Sequence, residues 1–91
     1  MSNSNIPIED RIRQFRSPGS AHERVYSSFR SELLQTISDS KLSVYSEDEI
    51  YEKFDRAMLS AFKIPCSKDR QYAIKLVEMA SESLTGENLY D

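Results

Sequence analysis

His22 and Cys66 are the single histidine and single cysteine of the 91-residue chain, and they form the one pair from which thiol-type nucleophilic catalysis could be assembled. A thiolate needs a nearby base to be reactive near neutral pH. The context opposes that chemistry. The pattern puts His22 in the first turn of a helix, where an imidazolium is disfavoured, and no Gly-rich oxyanion element surrounds Cys66. One Cys and one His also fall short of a four-ligand zinc site, and a single Cys excludes an intramolecular disulfide.

Carboxylates are the next candidates. Glu47, Asp48, Glu49, Glu52 and Asp55 cluster, and Asp48, Glu52 and Asp55 fall at i, i+4 and i+7, which gathers them on one helical face. A solvated face that stabilises a helix start explains the same residues. The chain lacks the Glu-x-x-His pairing of di-iron bundles, and with only Gly19 and Gly86 it cannot build a phosphate-cradling loop. The expectation is a protein that is not an enzyme and needs no metal or other cofactor.

Binding chemistry is better represented. Residues 1–30 carry five arginines (Arg11, Arg13, Arg16, Arg24, Arg30) against three carboxylates, a net of +2, whereas residues 31–91 carry seven cations against twelve carboxylates, a net of −5. Such polarity bears on partner choice and encounter rate more than on fold. The arginines, with Tyr26 and Phe29 nearby, could pair phosphates and stack bases. Against a nucleic-acid surface stand the overall charge of −3 and a pI of about 5.1, and Tyr26 and Phe29 lie where a core needs them. The third helix, the turn from Lys63 to Cys66, and the fourth helix with Lys68, Arg70, Gln71 and Lys75 share the outline of a helix-turn-helix, an outline common to helical bundles. Five of the nine aromatic residues are tyrosines, a type enriched with arginine at protein interfaces. Tyr45, Tyr51 and Tyr90 are the ones least needed by an apolar stripe. The expected partner-binding residues are therefore Arg11, Arg13, Arg16, Tyr45, Tyr51 and Tyr90. The expected function is a helical protein–protein interaction module of the adaptor, inhibitor or immunity type, with a nucleic-acid-binding regulator as the alternative and a homodimer as one form of the contact.

Those side chains need elements to hold them. With 38 % hydrophobic and 30 % charged residues, the chain has enough apolar material for one core and not two. No apolar run approaches the length needed to cross a bilayer, and the N-terminal decapeptide lacks the basic start and apolar middle of a signal peptide, so a cytoplasmic location without membrane contact is expected. Residues 1–6 read as a polar tail and residues 7–91 as a single all-α domain, a small four-helix bundle with a short first helix.

The first helix is expected after an Asn5 cap with Pro7 in its first turn, and Ile8, Ile12 and Phe15 share one face. Ser17-Pro18-Gly19 breaks it, and a capping box from Ser20 to Glu23 starts the second. Val25, Tyr26, Phe29, Leu33, Leu34 and Ile37 form that helix's stripe, to about Ser38. Leu42 and Val44 alternate with polar residues in the following link, which leaves room for a short extended piece. A second box at Ser46 to Glu49 starts the third helix, whose expected buried stripe is Ile50, Tyr51, Phe54, Ala57, Met58, Ala61 and Phe62, ending at Ile64-Pro65. Ser67 is the expected cap of the fourth, with Tyr72, Ala73, Leu76, Val77, Ala80 and Leu84 inward and Gly86 as the stop.

Overall fold

In the computed structural model, which describes residues 6–17, 22–42 and 44–85, the periodic stripes become four helices: α1 (Ile8–Gln14), α2 (Glu23–Ser40), α3 (Glu47–Phe62) and α4 (Ser67–Thr85). They run up, down, up, down. At one end of the α2–α3 pair the Thr36 hydroxyl reaches the Lys53 carbonyl, and at the other Arg24, Val25 and Ser28 face Ser60 and Lys63, so the two helices are antiparallel. Tyr26 near the start of α2 meets Asp69 near the start of α4, which makes that pair parallel. α1 packs on α2 and α4 and makes no helix contact with α3 among the described residues.

The core follows from these faces. Ile12, Phe15, Tyr26, Phe29, Leu33, Ile37, Phe54, Ala57, Ala61, Ile64, Ala73, Leu76, Val77 and Ala80 are all buried and form one cluster. Alanines at 57, 61, 73 and 80 let α3 and α4 approach closely, and the larger rings come from α2 and from Phe15. Phe15 sits 5.1 Å from the ring of Tyr26, 5.5 Å from Phe29 in an edge-to-face arrangement and 5.8 Å from Tyr72. These centroid spacings are those at which aromatic pairs attract beyond their area burial.

The capping box of α3 forms as the sequence predicts: Glu49 N–H donates to Ser46 Oγ at 3.2 Å, and Ser46 N–H donates to Glu49 Oε1 at 2.8 Å. These bonds hold the Glu49 carboxyl below its usual value. Other boundaries shift. Pro7 occupies the cap position of α1 instead of its first turn, with ψ at 148°. α1 stops at Gln14, so Phe15 reaches the core from an extended residue beyond the helix. α2 begins at Glu23, leaving His22 as its cap residue with no side-chain cap bond, and it continues to Ser40. The link to α3 holds no strand among the described residues. Ser67 is already helical, and the first bond of α4 runs from Arg70 N–H to the Cys66 carbonyl at 2.7 Å. The readings on Asn5, Ser20, Gly86 and the side chain of Leu84 lie outside the described residues.

The stripe of α3 needs correcting. Phe54, Ala57 and Ala61 are buried, but Phe62 is 54 % exposed and Tyr51 is 38 % exposed. Phe62 is the last residue of α3, and two residues later Ile64 enters the core completely buried. The backbone turn at Lys63 gives Ile64 the inward position that helical periodicity assigns to Phe62. Tyr72 is likewise 41 % exposed, with one face of its ring against Phe15.

Candidate interaction surface

His22 and Cys66 are both exposed, and among the described residues no group of three His, Cys, Asp or Glu side chains could hold a metal ion. Cys66 lies near Tyr26, whose hydroxyl donates to Asp69 Oδ2 at 2.5 Å. Burial pushes the Tyr26 phenol up to about 12, and the bond to Asp69, the Asp69 charge and the nearby Cys66 add to the shift. This contact is a structural tie between α2 and α4, one that sequence spacing could not reveal across 43 residues. Because the folded-state value lies above that of the unfolded phenol at 10, the tie contributes fully below pH 10 and is lost as pH rises from 10 towards 12. Alkaline titration followed by tyrosinate absorbance and circular dichroism is expected to show the last phenol ionising together with unfolding. In Tyr26→Phe that coupled step is expected to disappear; a coupled step that persists would show the tie to be unimportant.

The N-terminal arginines do not form one surface. Arg30, with only 11 % of its side chain exposed, donates from Nη1 to the Phe15 carbonyl at 2.9 Å and from Nη2 to Glu23 Oε2 at 3.0 Å. Arg13 pairs with Asp10 at 2.9 Å in solvent, where such a pair contributes little. Arg16 is exposed beyond α1. Arg11 is half-buried and lines a cleft with Ile6, Pro7, Ile8, Met79, Glu82 and Ser83, against α4. Arg24 is exposed and lines both the groove between α2 and α3 and an open face of α2 that holds Glu23 and Glu32.

The tyrosines divide similarly. Tyr45 is half-buried and carries the Lys53 ammonium 4.7 Å from its ring centroid. Lys53 also pairs with Asp39 at 3.2 Å, and Gln35 donates to the same carboxylate at 2.9 Å; the Gln35 bond and the Lys53 ammonium hold Asp39 below its usual value. Tyr45 therefore belongs to a brace at the α2–α3 turn. Tyr51 is exposed on α3, and Tyr90 lies outside the described residues.

The residues that sequence reasoning passed over are on the last two turns of α3. Leu59 is 60 % exposed and Phe62 54 %, one turn apart. Arg56, Ser60 and Lys63 form a row at i, i+4 and i+7 that adjoins Leu59, with Phe62 on the other side of Leu59. Between this face and the start of α2 lies a cleft of about 220 Å³ lined by Arg24, Val25, Ser28, Ser60 and Lys63. Arg24, Arg56 and Lys63 form no ion pair among the described residues. Leu59 was recoverable as an apolar residue off the α3 stripe; the exposure of Phe62 was not.

The chain matches no family model, no curated protein and no solved structure at a significant level. Function therefore has to be read from this surface alone. Among the described residues no helix is long and apolar enough to cross a membrane.

Proposed function

We propose that the chain is a helical protein–protein interaction module of the adaptor or inhibitor type, and that the C-terminal half of α3 is its docking face. The observation that carries this reading is the adjacent exposure of Leu59 and Phe62, 60 % and 54 %, near cations that form no ion pair among the described residues. Isolated exposed apolar residues are ordinary, but an aromatic and an aliphatic side chain one turn apart, rimmed by charge, have the make-up of an interface centre. Tyr51 extends the same side of α3 towards its N-terminus, two turns before Met58.

A photoreactive phenylalanine analogue introduced at Leu59 in the living cell tests the reading. One discrete crosslinked protein is expected, absent when Phe62→Ser is added and absent when the analogue is placed at the exposed Glu82 on α4. Equal crosslinking from both positions, or crosslinking to nucleic acid only, would sink it. A nucleic-acid partner is the second reading, favoured by Arg24, Arg56 and Lys63. Its signature is a log affinity that falls steeply with log salt, by roughly one unit of slope per phosphate contact.

A further inference from the structure

We infer that the cleft between the first turn of α2 and the last turns of α3 receives a carboxylate side chain from an acidic peptide segment of the partner, with an apolar neighbour of that carboxylate seated on Leu59 and Phe62. The inference rests on the protein-binding reading above and names the chemistry of its partner.

The lining is the first reason. Arg24 and Lys63 bring two cations to the cleft, Ser28 and Ser60 bring two hydroxyls that can donate, and Val25 supplies an apolar wall; among the described residues no carboxylate lines it, and Glu23 and Glu32 lie with Arg24 and Ser28 on the adjoining open face of α2. The second reason is that the cations are unused. The chain has fifteen carboxylates for twelve Lys and Arg, and Arg13, Arg30, Lys41 and Lys53 each hold one, yet Arg24 and Lys63 hold none among the described residues. Charge complementarity therefore assigns an anionic occupant.

Size narrows the class. At about 220 Å³ the cleft is below the roughly 300 to 1,000 Å³ of small-molecule and cofactor sites. It admits one side-chain head group. The apolar pair decides between a peptide and a polynucleotide. Exposed Leu59 lies between Arg56 and Lys63 along the chain, and Glu52 and Asp55 precede Arg56, so the cations of this helix do not form an unbroken track for phosphates. An acidic segment alternating carboxylates with apolar side chains satisfies both halves of the surface.

The test uses the full-length ¹⁵N-labelled chain and three probes: a blocked eight-residue peptide alternating Glu with Leu and Phe, the same peptide with Gln for Glu, and a single-stranded oligothymidylate. Saturable amide shifts are expected at Arg24, Ser28, Leu59, Ser60, Phe62 and Lys63 with the Glu peptide. Affinity is expected to fall about tenfold or more with the Gln peptide, and by a similar factor in the Arg24→Gln, Lys63→Gln double variant, because each lost contact is a charge-assisted one. Circular dichroism of that variant verifies its fold, and Glu82→Gln on α4 serves as a surface control. Equal binding of the Glu and Gln peptides, shifts confined to other residues, tighter oligothymidylate binding at the same residues, or no saturable shift with the Glu peptide would each overturn the inference. So would concentration-dependent dimerisation abolished by the double variant, which would make the occupant a second copy. If the Leu59 crosslink to a protein persists in the double variant, the carboxylate inference falls and the interaction module stands; if the crosslink is absent from the unaltered chain, the module reading itself has failed.

Discussion

Phe54→Ala is expected to cost about 3 to 5 kcal/mol of folding stability, while Phe62→Ala, eight residues along the same helix, is expected to stay within about 0.5 kcal/mol of the parent. Phe54 is fully buried, so removing its ring forfeits the transfer energy and leaves a cavity among α2, α3 and α4, where alanines at 57, 61, 73 and 80 cannot spread to fill it. Phe62 is 54 % exposed and already meets water over half its surface. A domain of this length has on the order of 5 to 13 kcal/mol in total, so the first change removes a large part of it. Urea denaturation curves measure both. Comparable midpoints for the two variants would show that the exposure of Phe62 and the core role of Ile64 are misassigned.

Arg30→Ala is expected to cost about 2 kcal/mol and to loosen α1 selectively. The guanidinium holds the chain just past α1 by its bond to the Phe15 carbonyl, and the side chain is largely shielded, so truncation leaves that carbonyl short of a partner. Little of the loss comes from Glu23, which is 42 % exposed and can be rehydrated. Hydrogen exchange reads the location: faster exchange is expected in residues 8–14, with α3 and α4 nearly unchanged. Arg30→Lys should recover only part of the loss, because one ammonium cannot present the paired donors that span Phe15 and Glu23. Uniform acceleration across all four helices would mean that Arg30 supports the whole core and not the attachment of α1. The Lys41 to Glu9 pair at 3.2 Å, more exposed, ties the other end of α1 and is expected to matter less.

The long helices were legible because their signals are local. Val25, Tyr26, Phe29, Leu33, Leu34 and Ile37 repeat at helical spacing, Ser46 and Glu49 form their box within one turn, and Pro65 follows the end of α3; each depends on residues a few positions apart. The all-α class, the helix number and most of the core follow from such signals. Single ends were less legible: a cap depends on backbone angles, which is why Pro7 and His22 stand at the cap instead of within the first turn, and Ser67 within the helix instead of at its cap.

The surface was legible only in type. Sequence pointed to arginine and tyrosine as binding groups, but it could not say which were already engaged. Arg30 is occupied by Phe15 and Glu23, Tyr45 by Lys53, and Tyr26 by Asp69; each of these contacts joins residues at least seven positions apart. In the same way, periodicity treats Phe54 and Phe62 alike, since it measures angle around an axis and not depth in a bundle. The sequence by itself determined the helices and their apolar faces, because those are properties of a few consecutive turns. Only the tertiary structure decided that Ile64 and not Phe62 closes the core, and that Arg24 and Lys63 line one cleft across two helices with no ion pair among the described residues, because both depend on how separate turns of chain are brought together.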